Sequence, residues 1–193
     1  QSQNSFKLDS LQEIEIENFK EFRFLDISKF LYPEVWKTAF SPVRNIENIE
    51  LVLNNLDEKN PKQLNGQIHI YMTASYQVDD LEKEIEETKV KIRKNGLIAG
   101  ELLESREQTD FNESVEFGFV DVYKATDINN SGIEYEAWIS VLAMKNYYYI
   151  ITLATPGRNA DFSMWSRNVN ALEAIYKTLE PQIKEIRTDT QDE

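Results

Sequence analysis

SVEFGFVDVYKAT (114–126), IEYEAWISVLAM (133–144) and YYYIITLAT (147–155) follow one another with little between them. In the first, Val115, Phe117, Phe119, Asp121 and Tyr123 alternate with Glu116, Gly118, Val120 and Val122. In the second, Ile133, Tyr135, Ala137, Ile139 and Val141 alternate with Glu134, Glu136, Trp138, Ser140 and Leu142. A period of two places successive side chains on opposite faces, so these segments read as strands. DINNSG reads as a wide turn between the first two, and Lys145-Asn146 as a two-residue turn between the second and third. A parallel return needs about a dozen residues, so strands joined this tightly are antiparallel.

Working upstream, LIAGELLESREQ (97–108) reads as a further strand. Before it lies an amphipathic helix from Asp79 to Asn95, with Leu81, Ile85, Thr88 and Ile92 as its apolar stripe. Asp79 and Glu82 have capping-box spacing. Acids crowd the first half and bases the second, which complements the helix dipole, and Glu87 to Lys91 is an i,i+4 pair. Asn95-Gly96 ends the helix, with Gly96 suited to the left-handed cap. GQIHIYMTAS (66–75) and IENIELVLN (46–54) read as strands, separated by a polar loop containing Pro61. Residues 11–27 read as an edge strand or hairpin, followed by a turn or short helix begun by Pro33. Downstream, Phe162, Trp165, Val169, Leu172, Tyr176 and Leu179 recur at helical spacing, with Asp161 or Asn159 before them and Pro181 after. The reading is one α+β domain over residues 11–183, an antiparallel β-sheet covered by two long helices. Residues 1–10 and 184–193 read as flexible tails.

Composition removes whole classes of chemistry. The 193 residues hold 34 Asp+Glu against 21 Lys+Arg, a net charge of -13. That mean field repels nucleic acid and anionic bilayers. With no cysteine and a single histidine, His69, there are no disulfides, thiolate nucleophiles, cysteine-bound metals or multi-histidine sites. No run approaches the 18 apolar residues of a membrane span. The polar opening QSQNS, beginning at Gln1, reads as the start of an exported, periplasmic or secreted protein after signal-peptide cleavage.

Asp127, Asn129, Ser131 and Gly132 resemble the front of a calcium loop, but Trp138 stands where the bidentate acid belongs, so they read as a hairpin turn and no metal site is assigned. His69 is a pocket candidate beside Tyr71 and Thr73, with no nucleophile positioned for it by the sequence. Glu134 and Glu136 share a strand face that reads as solvated. Arg158, just before the last helix, is an anion-binding candidate. Trp138 and Tyr148, with Tyr32 and Trp36, are candidates for a partner-binding aromatic surface. No Gly-rich phosphate loop is present, and no cofactor is expected.

The order of elements is similar to that of the Mog/PsbP-like α/β/α sandwich family. The likeness is carried by EFRFLDI (21–27), Tyr32-Pro33-Glu34-Val35-Trp36, the strand near 66–74, the helix at 79–95 ending in Asn-Gly, the meander ending in YYYIITLATP (147–156), and the Asp161–Glu180 helix with Trp165 in its first half. It spans roughly residues 20–180. An acidic lead-in before residue 20 and a polar insertion around 54–65 depart from the family pattern, and no metal or partner contact transfers. The family includes lumenal photosystem-associated proteins, a Ran-binding nuclear protein and bacterial secreted proteins of unknown role. The missing catalytic constellations, the acidity and the surplus of aromatic strand residues point to a non-enzymatic interaction or accessory protein with a protein partner. The resemblance, to a family of binding or assembly factors more than of enzymes, fits that reading. Two alternatives stand beside it: a small-ligand or cation-binding module, and a hydrolase or lyase using His69 with nearby carboxylates.

Overall fold

A computed structural model describes residues 18–24, 28–39, 48–107 and 111–181. Its centre is a seven-stranded sheet in the order β3-β4-β5-β9-β8-β7-β6, built from β3 (Lys37–Thr38), β4 (Asn48–Leu56), β5 (Leu64–Ala74), β6 (Leu97–Glu107), β7 (Phe117–Asp127), β8 (Asn130–Met144) and β9 (Tyr147–Pro156). Every pairing is antiparallel. After β5 the chain crosses through α1 (Leu81–Lys94) to the far edge, then meanders back through β6, β7 and β8 until β9 pairs with β5. A second, three-stranded sheet joins β1 (Phe19–Phe24), β2 (Ser28–Pro33) and β10 (Glu180–Pro181), and α2 (Phe162–Thr178) leads into it.

The turns follow the chemistry of their residues, with two differences. Lys145-Asn146 makes the expected tight turn, with Asn146 at a φ of 73°. DINNSG, expected to be wide, is instead a two-residue turn at Ile128-Asn129: the Asn129 amide donates to Asp127 Oδ1, and β8 begins at Asn130. Gly96 takes φ 98° at the end of α1, a conformation that costs other residues a Cβ clash. The N-cap of α1 is Asp80 rather than Asp79, accepting from the amides of Glu82 and Lys83. Asp161 caps α2 through the Met164 amide. Pro33 closes β2 and opens a turn in which the Trp36 amide donates to the Pro33 carbonyl. The tails and residues 11–17 lie outside the described residues.

The expectation that two long helices cover the sheet needs correction, because the two faces are covered unequally. On one face, α2 and the small sheet seal a large core containing Leu53, Ile68, Leu142, Ile151 and Leu172. Seven residues of α2 are buried, although Phe162, assigned to its apolar stripe, is 59% exposed. On the other face Ile139, Val141 and Ile150 form a thin layer under Leu81, Ile85 and Ile92 of α1, and Thr88 is the one buried residue of that helix. Burial of apolar area is the main stabilising term, so α2 is held strongly and α1 lightly.

Candidate functional site

On the α2 face, Glu136 is 1% exposed. The alternation correctly placed it beside Trp138, but that face is the core and not the solvated surface expected. A carboxylate so placed is costly unless fully hydrogen-bonded. Its Oε1 accepts from Arg158 Nη2 at 2.9 Å, Trp165 Nε1 at 3.1 Å and Trp138 Nε1 at 3.3 Å. Its Oε2 accepts from the Arg158 amide at 2.8 Å and Nε at 3.2 Å. The Arg158 guanidinium also lies 4.8 Å from the centre of the Trp165 ring. Burial pushes the Glu136 carboxyl up, but the Arg158 hydrogen bonds and charge outweigh it, leaving the group below its ordinary range. Arg158, expected to hold an external anion, thus already holds an internal one.

The aromatic candidates move inward for the same reason. Trp138 and Trp36 are each 3% exposed and Tyr32 is 7%. All three pack in the main core, and Tyr148 is half-buried against the thin layer beneath α1. They are therefore not an exposed aromatic surface. Strand periodicity reports which residues share a face, but not what packs on it.

The same face carries a groove of about 1,070 Å³ between the β2–β3 turn, the β4–β5 hairpin and α2. Leu31, Pro33, Trp36, Ala171 and Ala174 supply its apolar lining, and Lys37, Asp57, Glu58, Lys59 and Arg167 its charged groups. Val35, at its edge, is 59% exposed. A buried amide positions the hairpin wall: Asn168 donates to the Asn65 carbonyl at 2.8 Å and to Thr155 Oγ1 at 2.9 Å, and accepts from Asn55 Nδ2 at 3.0 Å. Asn168 escaped the sequence reading because nothing local distinguishes it from a surface asparagine.

The opposite face holds a cavity of about 510 Å³ between the rear of α1 and strands β4, β5 and β9. His69 is among its lining residues. Glu50 sits diagonally across the β4–β5 ladder, with Oε1 at 3.5 Å from His69 Nε2 and 3.2 Å from Lys91 Nζ. Lys91 also lies 4.8 Å from the centre of the Tyr71 ring, so it reaches the sheet instead of forming the expected bond to Glu87. Burial lowers the pKa of His69, the Glu50 charge opposes this, and Lys91 adds to it; the net shift is downward. No serine lines the cavity, Thr88 Oγ1 donates to the Glu84 carbonyl, and Thr155 Oγ1 to that of Pro156. Thr152, opposite His69 across the β5–β9 ladder, also lines the cavity, and among the described residues no hydroxyl is hydrogen-bonded to His69. None of these residues forms a group of three or more acids and histidines suited to a metal ion.

Both sites sit on a fold that solved structures share. The chain superposes on the solution structure of cyanobacterial PsbP (CyanoP) from Synechocystis with a TM-score of 0.51, covering 85% of this chain and 92% of that one at 12% identity. It superposes on the Ran-binding protein Mog1p of Saccharomyces cerevisiae with a TM-score of 0.52, covering 84% and 95% at 14% identity. The fold is Mog/PsbP-like. No protein-family model matches the chain, and neither does any curated protein sequence. At such identities the Mog/PsbP-like likeness establishes the backbone arrangement and no residue's role.

Proposed function

We propose that this chain is a non-enzymatic accessory protein that binds a protein partner through the groove beside α2. The observation that carries the reading is the groove itself, an open apolar trough with charged groups along it and an exposed Val35 at its edge. Such a surface suits the buried centre and polar rim of a protein interface. The fold is compatible with this role, since one structural neighbour is a Ran-binding protein. An extracytoplasmic place of action belongs to the same proposal; a chain without cysteine has no thiol to lose in an oxidising compartment.

A photo-crosslinking side chain introduced at Val35 is expected to capture one partner from producing cells, and the same group at Ile98 on β6 is not. The charged substitution Val35→Asp should then abolish recovery without changing the unfolding midpoint. Identical captures from both positions, or none from Val35, would count against the groove.

A further inference from the structure

The cavity under α1 has no part in that proposal, and its composition specifies a ligand class. Val52, Leu64, Ile92, Leu97 and Ile150 contribute an apolar lining, and the volume of about 510 Å³ falls within the range of small-molecule sites. Four carboxylates, Glu50, Glu84, Glu87 and Asp127, line it against two ammonium groups, Lys91 and Lys94. One of those cations is already engaged, because Lys91 pairs with Glu50 over Tyr71. Among the described residues neither Glu84 nor Asp127 has an ion pair. Tyr135 also lines the cavity, close enough to Asp127 to feel its charge. A carboxylate beside an aromatic ring, at the edge of an apolar space, attracts an ammonium group by charge and by the ring's quadrupole. An anion would instead meet the carboxylate surplus.

We propose that the cavity between α1 and strands β4, β5 and β9 binds a small amine with an apolar body, its ammonium group meeting Asp127 and Tyr135. Thr88 and Ile92 of α1 form the roof, and the light packing of this helix lets the roof adjust to the occupant.

Three dansyl probes share one apolar body and differ in their charge: dansylcadaverine is cationic, dansylamide neutral and dansylglycine anionic. Titrated into the full chain, dansylcadaverine should show a saturable rise in emission and bind about tenfold more tightly than dansylglycine, with dansylamide between them; about 1.4 kcal/mol corresponds to that factor. Ala154 lines the cavity and is partly buried, so Ala154→Phe should fill it and remove binding of all three probes. Glu84→Gln combined with Asp127→Asn keeps the shape and should bring the cationic probe down to the affinity of dansylamide. Equal affinities of the three probes for the wild-type chain would overturn the proposal. So would cationic binding that survives the charge-neutral double variant.

Discussion

The two faces of the central sheet are built from the same strands, yet they bury different things. The α2 face encloses Leu53, Leu142, Ile151 and Leu172 at full burial and carries a charged residue, Glu136, at its heart. The α1 face encloses three fully buried residues under a helix that buries only Thr88, with a cavity beside it. Stability should therefore reside mainly on the α2 face, while the α1 face keeps space and titratable groups available.

The sharpest way to break this contrast is a matched pair of truncations. Leu172→Ala, at a position 0% exposed, should cost about 3–5 kcal/mol through lost transfer energy and the cavity left behind. Ile85→Ala on half-buried α1 should cost about 1 kcal/mol by the area it loses. Urea unfolding of both variants measures the difference, and equal losses would show that α1 is held as firmly as α2.

A somewhat smaller effect is expected from Arg158→Ala, which strands the Glu136 carboxylate in the core. Removing one partner of a buried pair costs about 3–5 kcal/mol, and the partial exposure of Arg158 places this case near the lower end. The pH dependence sharpens the test. Because the folded pKa of Glu136 is depressed, its stabilisation is present above the ordinary value of 4.5 and is lost as pH falls through the folded value. The variant should lose that part of the acid dependence in urea midpoints measured between pH 6 and pH 3 (roughly spanning carboxylate titration).

The smallest effect belongs to the α1 face. His69 has a lowered folded pKa, so the unfolded chain takes up its proton first and stability falls as pH drops below the ordinary 6.5, until the folded value is reached. Above that window the residue contributes no slope. His69→Gln should flatten the wild-type decline of the unfolding midpoint as pH falls below 6.5. A steeper decline in the variant would mean that the Glu50 charge prevails over burial.

Much of the architecture is legible in short stretches of chain. Val120 and Val122 alternate against Phe119 and Tyr123, and Leu81, Ile85, Thr88 and Ile92 mark the inward side of α1 as the spacing implied. His69 could be placed on a strand and offered as a pocket residue. Glu50 was invisible as its partner because the two meet only when β4 pairs with β5. Local pattern places Arg158 and Trp138 on ligand and partner surfaces because exposed and internally satisfied residues have the same spacing along the chain.

The amino-acid sequence by itself determined the strands of the 114–155 meander and their antiparallel order, the tight return at Lys145-Asn146, the starts of the helices near Asp80 and Asp161, and the left-handed stop at Gly96. Each depends on backbone preference or side-chain spacing within a few residues. The sequence did not show β3, β10 or the tightness of the return at Ile128-Asn129. Only the tertiary structure decided which sheet face became the sealed core, that Glu136 binds Arg158 22 residues further on, and that Lys91 reaches Glu50 41 residues back. The energy of a buried charge depends on the groups that surround it in space, and those are supplied by elements that local periodicity cannot bring together.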